Sequence, residues 1–176
     1  MKCPDTLRRF WHQTAGTATI EFVIVVPVVL TLFMAGLESG LLMTRMVLLD
    51  RAVDATMREL RLGHFTAPSH DVLKTEICSR ASPLVGCEGA LLLELRRISR
   101  ESWTLPTTQS TCIDRAATVA PVMQVEIGQQ NDLMLVRACI VIDALFPTTG
   151  LALGLPQDSL GGYGLVAVSA YVNEPV

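Results

Sequence analysis

The sequence predicts an α+β protein: a long N-terminal α-helix crosses a membrane and continues into a small domain with a short helix and an antiparallel β-sheet. Residues 22–37 contain no charged side chain. An apolar stripe with helical spacing follows over residues 42–60. Beyond residue 63 the pattern changes to one further short helix and several strand-like apolar runs.

The apolar run is long enough to span a bilayer. If Glu38 is tolerated, the run extends to Met43, and its roughly 22 residues are enough to span about 30 Å of hydrocarbon as a helix. The helical pattern continues past the run, which favours a retained anchor over a cleaved secretory signal. Lys2, Arg8 and Arg9 precede it. They predict a cytoplasmic N-terminus and a domain on the outer side of the membrane.

The helix is expected to run from about residue 17 to 62, with Gly63 as its C-cap. Pro27 should kink its inner half, because proline lacks a backbone donor. Gly36 and Gly40 are spaced for close packing with another helix, although this spacing also arises by chance. Glu38 between them fits a solvated end of the anchor. The outer half has one apolar face for the domain, formed by Leu42, Met46, Leu49, Val53, Met57 and Leu60.

The remaining segments predict the small domain. Residues 68–80 read as a short helix with Ser69 as its N-cap. Polar and Gly/Pro-rich stretches predict loops at residues 106–111 and 145–162. Strands are predicted over residues 90–99, 122–128, 133–144 and 164–172.

Charge and cysteine usage limit the classes of function. The chain has a formal net charge of −3, which gives no basic footprint for nucleic acid. Of its five cysteines, Cys3 precedes the anchor and four follow it. An even number on the outer side predicts disulfides. Four cysteines allow three connectivities, of which we favour the short loop Cys78–Cys87 together with Cys112–Cys139.

No enzyme activity, cofactor, metal or small-molecule substrate is predicted. The sequence contains no nucleotide-binding G-x-x-x-x-G-K-[ST], no G-x-S-x-G and no H-E-x-x-H. His64 and His70 could join Cys78 at a metal, but surface histidines beside a disulfide are the more ordinary interpretation.

The junction between the N-terminal segment and the apolar run resembles a type IV prepilin. A short basic leader ends at Gly16, and Glu21 stands at the fifth position of the chain that begins with Thr17. The resemblance implies a cytoplasmic leader (residues 1–16), cleavage by prepilin peptidase between Gly16 and Thr17, and a pilin-like fold. The anchor and amphipathic helix would then occupy residues 17–63, and a periplasmic domain residues 64–176.

The chain resembles more narrowly the TadE-like family of the tight-adherence pilus system. Glu21-Phe22 followed by Pro27 is typical of that family. Further matching segments are Gly36–Gly40, Met57–Gly63, Cys78 and Cys87 before Glu94-Leu95-Arg96, and the terminal Tyr171-Val172-Asn173-Glu174-Pro175. Cys112 and the apolar loop at residues 145–156 match no feature of the family.

The resemblance implies a minor pseudopilin of the inner membrane that is needed for pilus assembly, surface adherence and biofilm formation. It implies as partners prepilin peptidase, other pilin-like subunits (the major pilin and fellow pseudopilins) and the inner-membrane assembly platform. Glu21 would pair with the amine of Thr17 between neighbouring subunits and set their register. Alternatively, Glu21 lies at the cytoplasmic interface of an uncleaved single-pass protein whose outer domain binds a partner of a secretion or pilus machine. A weaker alternative is a tip adhesin that uses residues 151–155.

Replacing Gly16 with valine should block processing, because a peptidase pocket shaped for glycine has no room for a larger side chain. Mass spectrometry of membrane-extracted protein should find Met1 at its N-terminus, and pili should be lost or reduced. Gly36→Val, an equal change away from the junction, should still give Thr17. A normal-length Gly16→Val product would refute the assigned cleavage site.

Overall fold

The structure, a computed structural model, describes residues 17–105, 112–116, 125–126, 128–147 and 157–174. A long helix is followed by two short helices and a three-stranded antiparallel sheet. The long helix, one short helix and the antiparallel sheet were predicted from the sequence. The helices are α1 (Thr17–Arg61), α2 (His70–Arg80) and α3 (Cys87–Ala90). The strands are β1 (Leu91–Ile98), β2 (Leu133–Ile142) and β3 (Tyr163–Val172).

Helix α1 has 45 residues and continues on both sides of Pro27. At 1.5 Å per residue it is about 66 Å long. Gly63 ends it with a φ of +72°, a conformation that glycine adopts without steric strain. The Gly63 N–H donates to the Leu60 carbonyl and the His64 N–H to that of Glu59, both at 3.1 Å. These two bonds form a Schellman motif.

The two halves of α1 have different surroundings. Large apolar side chains from Ile20 to Leu37 are largely exposed. From Leu49 onward one face is buried in the core of the domain, where Leu49, Ala52, Val53, Thr56 and Met57 lie. Leu42 and Leu60 pack at the margin of this core, as expected, but Met46 is 37% exposed. Met46 therefore does not belong to the buried face that the helical spacing predicted.

Helices α2 and α3 cover one flank of the core. Ser69 caps α2, since its hydroxyl accepts from the Val72 N–H at 3.3 Å, and Leu73 and Ile77 point into the core. The four-residue α3 was missed by the sequence analysis, because so short a helix has no periodic pattern. A disulfide joins Cys78 to Cys87 and so connects α2 to α3.

The sheet has the order β1-β2-β3. Leu93 lies opposite Ala138 of β2, which lies opposite Ala167 of β3. These residues belong to the face that packs toward α1, with Leu91, Leu95, Met134, Val136, Ile140 and Leu165. On the opposite face, Glu94 pairs across the strands with Arg137, whose Nε lies 2.7 Å from the carboxylate. Both side chains are about nine-tenths buried.

The predicted strand over residues 122–128 lies mostly outside the described residues. Val125 forms an isolated parallel bridge with Leu95, and the Glu126 N–H donates to the Leu95 carbonyl at 3.0 Å. The predicted loop at residues 106–111 and the apolar stretch at 151–155 also lie outside the described residues.

Because Cys78 and Cys87 are bonded to each other, Cys78→Ser and Cys87→Ser should each destabilise the domain equally, by about 2–5 kcal/mol. The double variant should lose no more stability than either single variant, since the same disulfide is removed in all three. Cys78→Ser combined with Cys112→Ser should lose more stability, because it removes both disulfides. The readout is the thermal midpoint of detergent-purified protein, and additive losses at positions 78 and 87 would contradict this connectivity.

Candidate functional site: the anchor helix and its junction with the domain

The residues predicted for processing and assembly lie at the beginning of α1. Gly16 is outside the described residues, and Thr17 is the first residue of the helix. Glu21 is exposed and Phe22 is 65% exposed. Glu21 is the only charged residue from Thr17 to Leu37. An isolated carboxylate thus lies one helical turn from the start of a bare apolar helix.

The predicted packing residues of α1 also lie on surface that is exposed in this structure. Pro27, Gly36 and Gly40 are exposed. A Cβ built on either glycine meets no atom of the described residues within 4 Å. The described part of the domain therefore does not contact this glycine surface, and its use by a second helix remains a prediction.

Glu38 is not the solvated end of the anchor that the sequence suggested. Its side chain is buried, with 1% exposure. The carboxylate accepts from the backbone N–H of Leu145 at 3.2 Å and from that of Phe146 at 2.9 Å. Glu38 therefore binds the segment after β2, residues 143–147, which we call the strap.

Arg45, two turns further along α1, holds the other end of the strap. Its guanidinium donates to the Tyr163 hydroxyl at 2.8 Å and to the Asp143 carbonyl at 3.3 Å. Tyr163 is fully buried at the beginning of β3. The strap thus runs along the helix from the level of Arg45 toward that of Glu38.

Arg115 connects the strap to the turn before β3, residues 157–162. It forms salt bridges with Asp143 and Asp158, both at 2.6 Å. Hydrogen bonds from the guanidinium lower the pKa of both carboxyls. Gly162 packs so closely against Arg115 that a Cβ there would clash with the guanidinium. The nearby Cys112–Cys139 disulfide ties the segment that carries Arg115 to β2.

The far end of the domain is closed by the residues of the terminal Asn-Glu-Pro segment. The Asn173 amide donates to the carbonyls of Gly128 at 2.8 Å and Gln129 at 3.3 Å. Glu174 accepts from Nε of Arg61, in the last turn of α1, at 2.9 Å. The family-like ending therefore joins the sheet to the end of the helix. Pro175 lies outside the described residues.

A groove of about 430 Å³ lies beside this contact, lined in part by Leu60, Phe65 and Tyr171. Burial raises the pKa of Tyr171 to about 12. Among the described residues, no group of three or more His, Cys, Asp or Glu side chains could hold a metal ion. His64 is exposed and His70 lies beside Asp71, at 3.4 Å.

A helix with one bare apolar half and a small α+β domain on its other half is the architecture of an anchored subunit. Within the described residues, α1 alone is long and apolar enough to cross a membrane. The family model described as TadE-like protein matches residues 16–58. This match confirms the resemblance seen in the sequence and indicates a protein associated with a tight-adherence pilus. No curated protein and no solved structure is significantly similar to the chain.

The match begins at Gly16 and ends within α1. It therefore covers the proposed processing site, the bare half of the helix and Glu38, but not the sheet. The sequence analysis missed Glu38, Arg45 and Arg115 as junction residues. The sequence does show a charged residue at the end of an apolar run, which is a signal for Glu38. It does not show the partners of Glu38, which are backbone N–H groups 107 and 108 residues away.

Glu38→Ala should destabilise the junction by about 2–3 kcal/mol, because two backbone donors of the strap lose a charged acceptor. The thermal midpoint of detergent-purified protein should fall, and proteolysis within residues 143–147 should become faster. Glu101→Ala, which removes an exposed carboxylate, should change neither. Equal behaviour of the two variants would contradict the role assigned to Glu38.

Proposed function

We propose that the protein is a minor pseudopilin of a tight-adherence type IV pilus. Prepilin peptidase cleaves it after Gly16, and the chain that begins with Thr17 is held in the bacterial inner membrane by α1. Its domain lies in the periplasm, and the subunit enters or supports the pilus needed for surface adherence and biofilm formation.

The observation that carries this proposal is the isolated charge of Glu21 on bare helix. No side chain of α1 from Ile20 to Leu37 is buried, and most of its large apolar side chains are exposed. The family match begins at the residue that would be cleaved. A purely passive anchor has no need of a carboxylate at this position, where placing one in lipid costs a few kcal/mol.

Cleavage would supply a partner for Glu21. The new amine of Thr17 would carry a positive charge and would lie about 6 Å along the axis from Glu21, since four residues separate them. Pairing the amine of one subunit with Glu21 of its neighbour neutralises two charges that are each costly in lipid. The pairing fixes how far adjacent helices are shifted along their axes.

The remaining partners are inferred from the nucleotide-binding motif that the sequence lacks and from the exposed surface of α1. No nucleotide-binding motif is present in the sequence, so another protein of the assembly platform supplies the energy of assembly. The exposed helix surface around Gly36 and Gly40 is available to the helices of other pilin-like subunits, because small residues allow close helix contact.

Glu21→Ala should separate assembly from anchorage. The variant should still be cleaved and inserted, because removing a charge makes an apolar helix easier to insert. Incorporation should fail, since the amine of a neighbouring subunit would be left unpaired at a penalty of about 3–5 kcal/mol. The readouts are the membrane-bound fraction, and pilus yield together with cross-linking to other pilin-like subunits.

Ile24→Ala is the matched control, because it truncates another exposed side chain of the same helix without removing charge. It should assemble normally. Normal pili from an inserted Glu21→Ala protein would refute the pairing role. An unprocessed chain that begins with Met1 and makes no contact with pilin-like subunits would instead favour a static single-pass protein whose domain binds a partner of the machine.

A further inference from the structure

We propose that the domain rests on the outer surface of the bilayer through two loops, the strap and the turn at residues 157–162. Leu145 and Leu160 are the side chains that enter the lipid. This inference rests on the proposed function, because it requires α1 to be a membrane anchor. It adds a second membrane contact, made by the domain itself.

The position of Glu38 along α1 sets the level of the bilayer surface. From Ala18 to Leu37 no side chain is buried, and Glu38 is the first buried residue of the helix among those described. These 20 residues extend about 30 Å, which equals the hydrocarbon thickness of a typical bilayer. The outer boundary of the hydrocarbon therefore falls at the level of Glu38.

The strap lies at the same level, because the N–H groups of Leu145 and Phe146 bond to the Glu38 carboxylate. Leu145 is 55% exposed although it adjoins the core-forming half of the helix. Its backbone donor is already satisfied, which removes the main penalty for placing a loop at the edge of a hydrocarbon region. The strap therefore presents an apolar side chain without an open backbone donor.

The turn before β3 repeats this arrangement. Leu160 is 64% exposed, and its N–H donates to the Asp158 carboxylate at 3.1 Å. The Gly162 N–H donates to the same carboxylate at 2.7 Å. Arg115 bonds to both Asp143 and Asp158, so the two loops are neighbours at this end of the sheet. Two exposed leucines thus lie in loops that Arg115 joins.

A lipid surface fits these loops better than water does. Each loop combines an exposed leucine with backbone N–H groups that a carboxylate satisfies. Arg45 donates to the Asp143 carbonyl, and Arg115 forms salt bridges with the carboxylates of Asp143 and Asp158. Each loop therefore joins an exposed leucine to charged groups that pair within the domain, a combination suited to a membrane interface.

Depth-dependent fluorescence quenching tests this contact in the full chain. Leu145→Trp and Leu160→Trp are each made in a Trp11→Phe/Trp103→Phe background and reconstituted into phosphatidylcholine–phosphatidylglycerol vesicles. Lipids that carry a spin label just below the headgroup should quench most of the emission of either tryptophan. Lipids labelled at the chain end should quench it less. Resistance of the disulfides to thiol alkylation verifies folding.

Two controls separate the possible failures. Phe33→Trp in the same background places a tryptophan within the bare half of α1 and should be quenched more strongly by the deep label. Native Trp103, kept in a Trp11→Phe variant, follows the far end of β1 and should be quenched by neither label. An unquenched tryptophan at position 33 would refute the anchor and thus the proposed function.

If position 33 is quenched but positions 145 and 160 are not, the domain contact alone is refuted. Iodide would then distinguish the reason. Quenching by iodide would mean that the loops face water, and protection from both quenchers would mean that another protein chain covers them. Quenching of only one of the two leucine positions would overturn the two-loop contact in the form proposed.

Discussion

The packing of the outer half of α1 against the sheet is the interaction on which the rest of the domain depends. Leu49, Val53 and Met57 are completely or almost completely buried by it, and each fully buried apolar side chain contributes about 1.5–3 kcal/mol. A three-stranded sheet needs such a partner, because one of its faces would otherwise expose apolar side chains to water. The same continuous helix remains bare in its other half, so one element serves two different surroundings.

Where the bare half of α1 meets the half that the sheet covers, carboxylates accept hydrogen bonds from backbone N–H groups. Glu38 binds the strap, Asp158 closes the turn before β3, and Arg115 joins the two. At the opposite end Glu174 bonds to Arg61 and Asn173 holds the chain near Gly128. The apolar core fixes which face of α1 the sheet covers, and these polar contacts fix its position along the helix axis.

Local patterns in the sequence predicted the elements but not their polar connections. The end of α1 at Gly63 and the cap at Ser69 follow from residue types with strong local preferences, and apolar runs predicted β1, β2 and β3. Met46 was wrongly placed in the buried face, because helical spacing gives the direction of a side chain around the helix but not how closely the domain approaches it; Leu42 and Leu49 on either side of Met46 do contact the core. Glu38 could not be understood locally, since its partners are backbone donors that have no side-chain signature.

The polar contact at the far end of the domain determines where the chain leaves the fold. Thr17 begins α1, whereas Glu174 is bonded to Arg61 in its last turn, so the first and last described residues lie at opposite ends of a helix about 66 Å long. A reporter fused after residue 174 would therefore emerge at the end of the domain farthest from the bare half of α1. Its linker would have to leave the ion pair with Arg61 intact.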